Sequence, residues 1–331
     1  MADLRTTITE VVTALGTLGF EDVEAALEAR PVELHNVDDD VWRDLQAAWA
    51  APGKRALFHA AWSNGRAFLC ARDALRGRRP ELVEWKGAHR APGDEVVPAD
   101  IRIDHVYFVS CKYLSRIVVN ASPAHLFDRL LAGGYGKRGS DWFGVVAPAE
   151  LSALYDAVRS SVALTLPDDV AGCDVAQRRA LATELRAGWP SGVAPLYDAL
   201  CGAVAGRSAA RWQSAIANNA ERLLWRMLRI GSAPYYVLGV AADDVLRMRI
   251  ATPWDWRQRY ELCEFNTSAG DAGQPVVRWR ALVRDRATRD DIPVEGHVEV
   301  RWSHGRFSGP PEAKVYLDTP HRAVPGYFPL V

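Results

Sequence analysis

The sequence predicts an α/β protein: a mixed β-sheet core flanked by helices, with a helical N-terminal part and a β-rich C-terminal part. Three observations predict it. Apolar residues recur at helical spacing over residues 1 to about 80, and the pattern then changes to short β-type runs broken by Gly and Pro over residues 81–112. From Tyr235 onward apolar and polar positions alternate between glycine-marked turns. With 331 residues and 49% hydrophobic content the chain can bury a large core, as one elaborated domain or two tightly packed ones. The expected organisation is a helical segment over 1–61, an α/β core with a helical insertion over 62–230, and a β-rich portion over 231–331 packed on the core.

Each element has its own signal. Ile8, Val11, Val12, Leu15 and Leu18 mark one face of a first helix, and Trp42 to Trp62 and Arg66 to Leu75 continue in the same style. Leu82 to Trp85, a run led by Asp100, and Val106 to Lys112 read as strands, with Ala88 to Pro98 a loop between the first two. From Ser122-Pro123 to Ile230 the pattern is helical again. Trp212, Ile216, Ala220, Leu223, Met227 and Ile230 form one stripe of a long helix that Gly231 stops. Beyond Tyr235, Gly270, Gly273, Gly296 and Gly309 punctuate the strands. There is no internal repeat and no low-complexity segment.

Charge and composition narrow the chemistry. A formal charge of −1 exerts no long-range pull on a polyanion, so any such partner must be met by local positive patches. Cys70, Cys111, Cys173, Cys201 and Cys263 lack the paired spacing of a zinc site or a disulfide framework, which points to reduced, buried thiols of a cytoplasmic protein. The N-terminus carries acids and no apolar run of signal or membrane length, in keeping with a cytoplasmic location. The eight histidines are scattered and argue against a zinc hydrolase. Gly133-Gly134-Tyr135-Gly136-Lys137 lacks the spacing and the preceding strand of a nucleotide cradle and reads as a loop.

The segment with specific chemistry is Pro98-Ala99-Asp100 followed by Ser110-Cys111-Lys112. A carboxylate at a sheet edge can hold Mg²⁺, which takes oxygen ligands and keeps several waters, and a lysine beside it can orient the attacking water and offset developing negative charge. The carbonyl of Cys111 is a further candidate ligand and Glu84 the candidate second acid, because Ser110 supplies no negative charge. Strand parity constrains the idea: Ser110 and Lys112 share a face, and Asp100 joins them only if its strand pairs with even-numbered partners. A two-residue turn at Asp104-His105 would pair Ile103 with Val106 and turn Asp100 away. A three-residue connection over Ile103 to His105, or a bulge, would pair Asp100 with Phe108.

Over residues of roughly 62–130 the pattern resembles the PD-(D/E)XK nuclease superfamily, the restriction-endonuclease-like fold. Val83-Glu84-Trp85-Lys86-Gly87 stands for its first strand, Pro98-Ala99-Asp100 for the Pro-x-Asp element, and Ser110-Cys111-Lys112 for (D/E)-x-K. The departure is Ser110. The resemblance implies a mixed sheet flanked by helices, Mg²⁺-dependent cleavage of DNA with Mn²⁺ able to substitute, Asp100 as metal ligand and Lys112 as catalytic lysine. A structural alternative is a β-hairpin with a solvent-facing Asp and Lys.

The C-terminal third offers a candidate DNA surface. Arg278, Arg280 and Arg284 project from one face of a strand, and Arg301, His304 and Arg306 follow in a second alternating run with Trp302. Such arginines can meet phosphates or guanine edges, and Trp302 or His304 can stack; Asn120, Ser122, Lys137 and Arg138 would extend a positive groove. The acids among them leave a solvated face with cross-strand ion pairs as the alternative. Glu84-Trp85-Lys86 and Glu312-Ala313-Lys314 both spell E-x-K: the first lies just upstream of Asp100 and is a candidate neighbour of the site without being its core, and the second reads as a salt-bridged pair where a turn enters a strand. The expectation is therefore an Mg²⁺-dependent DNA endonuclease of restriction or phage-defence type, acting on double-stranded DNA, as a homodimer or with a defence partner protein. The alternatives are a non-cleaving DNA-binding or assembly subunit with the same fold, and a protein-binding surface unrelated to nucleic acid.

Overall fold

A computed structural model of the chain describes residues 3–87, 89, 97, 99–113, 115–133, 141–231, 234–241, 244–271 and 273–331. Helices α1 (Leu4–Gly16) and α2 (Val23–Ala29) precede a two-residue strand β1 (Leu34–His35), and α3 (Asp39–Ala50) and α4 (Arg55–Cys70) follow. Strands β2 (Val83–Trp85), β3 (Ile101–Ile103), β4 (Tyr107–Tyr113) and β5 (Ile117–Ala121) come next. The helical stretch holds α5 (Pro123–Phe127), α6 (Trp142–Val146), α7 (Pro148–Ser161), α8 (Val175–Glu184), α9 (Ala194–Ile216) and α10 (Ala220–Met227). Then come β6 (Tyr235–Ala241), β7 (Asp244–Ile250), α11 (Pro253–Arg259), β8 (Tyr260–Asp271), β9 (Pro275–Asp285), β10 (Asp291–Arg301), β11 (Glu312–Leu317) and β12 (Tyr327–Pro329).

The chain builds two compact units and passes between them repeatedly: residues 1–115, 229–259 and 320–331 form one, 116–228 and 260–319 the other. The boundary expected at 61/62 falls inside α4, and only the one expected at 230/231 lies near a crossing. The expected single helix through Trp212 and Met227 is two helices. Ala217, Asn218 and Asn219 separate α9 from α10, and the short amide side chains of Asn218 and Asn219 favour turn backbone over helix. Likewise α4 ends at Cys70, so Ala74 and Leu75 pack from a turn. Cys173 and Cys201 are buried as expected, whereas Cys70 and Cys263 are exposed. Among the described residues no helix is long and apolar enough to cross a membrane.

In the first unit a seven-stranded mixed sheet runs in the order β1-β2-β3-β4-β6-β7-β12. β1 is parallel to β2 and β4 is parallel to β6, while the other neighbours are antiparallel. Val83, Trp85, Ile101, Ile103, Val109, Tyr236 and Leu238 bury their side chains in one core with α1 to α4. α1 is buried on all sides from Thr7 to Gly16, so its threonines return their hydroxyls to backbone: Thr13 Oγ1 lies 2.6 Å from Thr9 O and 3.2 Å from Ala61 O on α4. The two helices touch backbone to backbone where glycines meet. A Cβ on Gly65 would stand 2.1 Å from Thr13 O, and one on Gly16 2.6 Å from Trp62 O.

In the second unit the sheet is antiparallel throughout, in the order β5-β11-β10-β9-β8. Its alternation is as the sequence predicts: Val277, Trp279, Ala281 and Val283 are buried, and Arg278 and Arg280 are exposed. α9 covers the edge strand β8 and satisfies its backbone. Gln213 accepts from Thr267 N–H at 2.8 Å and donates to Phe265 O at 3.3 Å, which removes an open strand edge. Trp142, stacked on Phe127 at 5.5 Å, donates its indole N–H to Ser208 on the same helix at 2.9 Å.

Gly65→Ala inserts a methyl group where no space exists, so it should cost about 1–3 kcal/mol of stability. Urea unfolding of the variant measures it, and an unchanged midpoint would mean that α1 and α4 do not meet backbone to backbone.

Candidate functional site

The hairpin between β3 and β4 determines which side chains meet. Ile103 pairs with Tyr107, so three residues, Asp104 to Val106, connect the strands. Asp104 and His105 take left-handed backbone at φ 49 and 59, and Val106 N–H closes the turn on Ile103 O at 3.0 Å. The connection is three residues long but lies one position later than Ile103 to His105. Asp100 consequently stands opposite Ser110, two residues beyond the Phe108 partner expected for it, and on the even-numbered face with Lys112. Asp104 anchors this turn: its Oδ1 accepts from Glu81 N–H at 2.8 Å and Leu82 N–H at 3.0 Å, and its Oδ2 pairs with Arg78 at 2.8 Å.

Asp100 sits just ahead of β3, its N–H bonded to Val109 O at 2.9 Å. Its carboxylate Oδ2 accepts from Ser110 Oγ at 3.1 Å and from Cys111 N–H at 2.6 Å. Oδ1 takes no hydrogen bond from a described residue. Lys86 faces Asp100 from the other side, donating its N–H to Asp100 O at 2.9 Å, and register puts Lys86, Asp100 and Ser110 in one row across β2, β3 and β4. Lys86 and Ser110 are each 5% exposed, so this row is an interior feature and not a solvated hairpin surface.

Lys112 is half-buried on β4, and among the described residues no ion pair or hydrogen bond holds its ammonium. Burial lowers its pKa, the nearby Asp100 opposes that shift, and Arg229 adds to it. β6 runs close alongside, because position 239 has no side chain: a Cβ on Gly239 would lie 2.0 Å from Lys112 O. Tyr235 of β6 brings a buried phenol beside Ser110, its pKa pushed up to about 12 by desolvation. A small pocket of about 250 Å³ opens beside Lys112, lined by Arg5, Thr9 and Glu10 of α1 with Cys111 and Tyr113. Glu10 accepts the Trp85 indole N–H at 2.6 Å.

Glu84 does not join Asp100 as a second metal ligand. Both its oxygens are gripped by Arg102, at 2.5 and 2.7 Å, and this pairing holds the carboxyl below the usual range. Among the described residues no three His, Cys, Asp or Glu side chains gather as a metal cage. Magnesium needs no such cage, since one or two carboxylates with waters and substrate phosphate complete its shell. Asp100 Oδ1 and the Cys111 carbonyl, which lies on the same strand side as the N–H bound to Asp100, fit that demand. Pro98, the first residue of the Pro-x-Asp element, lies outside the described residues.

The arginines of the C-terminal sheet are largely matched by acids. Arg284 grips Asp291 at 2.8 and 3.2 Å, Arg280 pairs with Glu295 at 3.1 Å, and Arg301 with Glu299 at 3.2 Å. Arg278 has no such pair among the described residues. His297 stacks on Tyr316 at 4.7 Å and meets Asp318 at 2.8 Å. Lys314 and Glu312 pair at 3.8 Å at the start of β11, and Glu312 also meets Asn120 of β5 at 3.5 Å. Trp302 is occupied by Phe143 and Phe307, both at 4.8 Å. His304 and Arg306 lie apart from this face, in the turn after β10, and Lys137 and Arg138 lie outside the described residues.

Sequence reasoning placed Glu84-x-Lys86 beside Asp100 but missed Tyr235 and Glu10. For Glu10 a signal existed: a carboxylate between Ile8 and Val11 interrupts an apolar stripe. Tyr235 carried none, since only the β4–β6 pairing brings it near. Compared with protein-family models, curated proteins and solved structures, the chain matches none.

Lys112 should react with an amine-acylating reagent at lower pH than a free ε-amino group does, because burial disfavours its charged form. Asp100→Asn removes the opposing negative charge and should lower that midpoint further. Mass-spectrometric labelling across a pH series reads both, and an upward movement in the variant would contradict the site's geometry.

Proposed function

We propose that the chain is an Mg²⁺-dependent DNA endonuclease with a restriction-endonuclease-like core, of restriction or phage-defence type. One observation carries the reading: Asp100, Ser110 and Lys112 fall on one sheet face at the adjoining ends of β3 and β4, with a carboxylate oxygen that no described residue hydrogen-bonds and a desolvated amine. The helix-backed mixed sheet around them is consistent with the resemblance noted in the sequence. Asp100 and the Cys111 carbonyl would hold the metal, with Mn²⁺ as a substitute. When bound it supplies charge neutralisation at the scissile phosphate and acidifies an attacking water. Lys112 would orient that water and counter the negative charge that develops on the phosphate oxygens. The Ser110 hydroxyl and Cys111 N–H fix the rotation of the Asp100 carboxylate. Double-strand cleavage with one site per chain calls for a homodimer or a partner subunit.

Ser110 favours a second reading, a non-cleaving DNA-binding or assembly subunit of a defence complex. Its hydroxyl hydrogen-bonds to Asp100 where a second carboxylate would add charge for the metal.

Incubating the pure chain with plasmid and phage DNA, with and without Mg²⁺ or Mn²⁺, separates the two. Asp100→Ala and Lys112→Ala should each abolish cleavage with the fold intact, and Ser110→Ala should be milder. Cutting by the Asp100→Ala variant at the wild-type rate would end the nuclease assignment. Ser110→Asp should raise Mg²⁺ affinity by adding a carboxylate beside Asp100, read by titration calorimetry whichever reading holds.

A further inference from the structure

In the second unit a cleft of about 1040 Å³ lies between α8 and the turn that links β10 to β11. Arg178, Arg179, Arg186, His304, Arg306 and Ser308 line it, and no acid is among the described lining residues. The sheet groove of about 580 Å³ that holds Arg278 and Arg280 is different, because Glu295, Glu299 and Asp318 line it too.

The cleft's cations divide into two kinds. Arg178 and Arg306 build its walls. Arg178 donates to Cys173 O at 3.2 Å and Val170 O at 2.8 Å on its own side, and reaches Phe307 O on the turn at 3.3 Å. Arg306 crosses in the other direction to Leu185 O, its guanidinium lying 4.5 Å over the Trp189 ring. The turn fits against α8 because residue 305 is glycine: it holds φ +106, and a Cβ there would stand 3.0 Å from Ala182 Cβ. Arg179, Arg186 and His304 are the second kind. All three are exposed, and among the described residues none has an ion pair or a hydrogen-bonded partner for its side chain. Arg280, Arg284 and Arg301 each spend their charge on a neighbouring acid.

We propose that this cleft binds the phosphate backbone of a nucleic acid strand, with Arg179, Arg186 and His304 as the phosphate contacts. The proposal rests on the reading of the chain as a protein that acts on DNA, and it locates that contact away from the arginine-bearing sheet face. A cleft far larger than one phosphate group, lined by spread cations without acids, suits a chain of phosphates. Val175 is the exposed apolar residue at its rim, which is little for a lipid surface to bury.

The test is fluorescence anisotropy of the full chain on a labelled duplex across a salt series in EDTA, so that binding is read without cleavage. The triple substitution Arg179→Ala, Arg186→Ala and His304→Ala should weaken binding at least tenfold and lower the log–log salt slope by about two to three units, one per lost phosphate contact. Arg280→Ala with Arg284→Ala should leave both within twofold, and a thermal melt checks that each variant folds. The single reversal Arg179→Glu should weaken binding on its own. An unchanged affinity and slope in the triple variant overturns the proposal. So does a wild-type chain that binds phosphatidylserine vesicles through these residues and leaves the duplex free. The two readings fail separately: a chain that binds through the cleft and never cuts keeps the cleft and loses the nuclease. A chain that cuts DNA while its triple variant binds like wild type does the reverse.

Discussion

The carboxylate of Asp104 ties the β3–β4 turn to the chain that enters β2, and the register of three strands follows from it. Two backbone N–H groups and Arg78 hold that side chain, while Asp104 N–H bonds back to Leu82 O at 2.8 Å. With the turn fixed, Val106 becomes the extra residue, Ile103 meets Tyr107, and Asp100 arrives opposite Ser110. A slip of one residue would turn Asp100 to the helix-packed face, where a lone carboxylate would meet Val109 and Ile101 among apolar neighbours. Register here is therefore enforced twice, once by the turn and once by the cost of burying the wrong set of side chains.

Charge neutralisation organises the rest of the chemistry. Around Asp100 one carboxylate oxygen takes no hydrogen bond from a described residue, and the neighbouring acid, Glu84, is consumed in a two-point pair with Arg102. Glu10 is likewise occupied by the Trp85 indole. Asp100 then stands in a row with Lys86 and Ser110 and on the sheet face of Lys112. The second unit follows the same logic with opposite effect. Cross-strand pairs quench much of the sheet face, whereas in the cleft beside α8 Arg179, Arg186 and His304 meet no acid among the described residues.

Close backbone approach is the second recurring device. Gly16 against Gly65 lets α1 and α4 lie in contact under the sheet, and Gly239 lets β6 press on the backbone of Lys112. At Gly239 the close approach fixes the backbone at the end of β4 that carries Lys112. Both depend on the absence of a side chain and not on a special backbone angle, which is why composition and turn signals do not reveal them.

Periodicity alone determined the mixed α/β class, the first helix through Ile8 to Leu15 and the alternating face of β9, while residue chemistry and a motif resemblance nominated Asp100, Ser110 and Lys112. These are properties of neighbours in the chain, and hydrophobic spacing reports them. The break between α9 and α10 was written in Asn218-Asn219 but outweighed by the continuous apolar stripe across it. The tertiary structure decided the rest: that Asp100 meets Ser110, that Glu84 belongs to Arg102, that Tyr235 borders the site, and that Arg280 and Arg284 are paired while Arg179 and Arg186 meet no acid among the described residues. It also decided that the chain interleaves two units, because residues 229–259 and 320–331 return to the sheet begun by β1 to β4. Register, pairing of charges and long-range strand order depend on which distant residues become neighbours, and a local pattern holds no information on that until turns and packing have chosen among the alternatives.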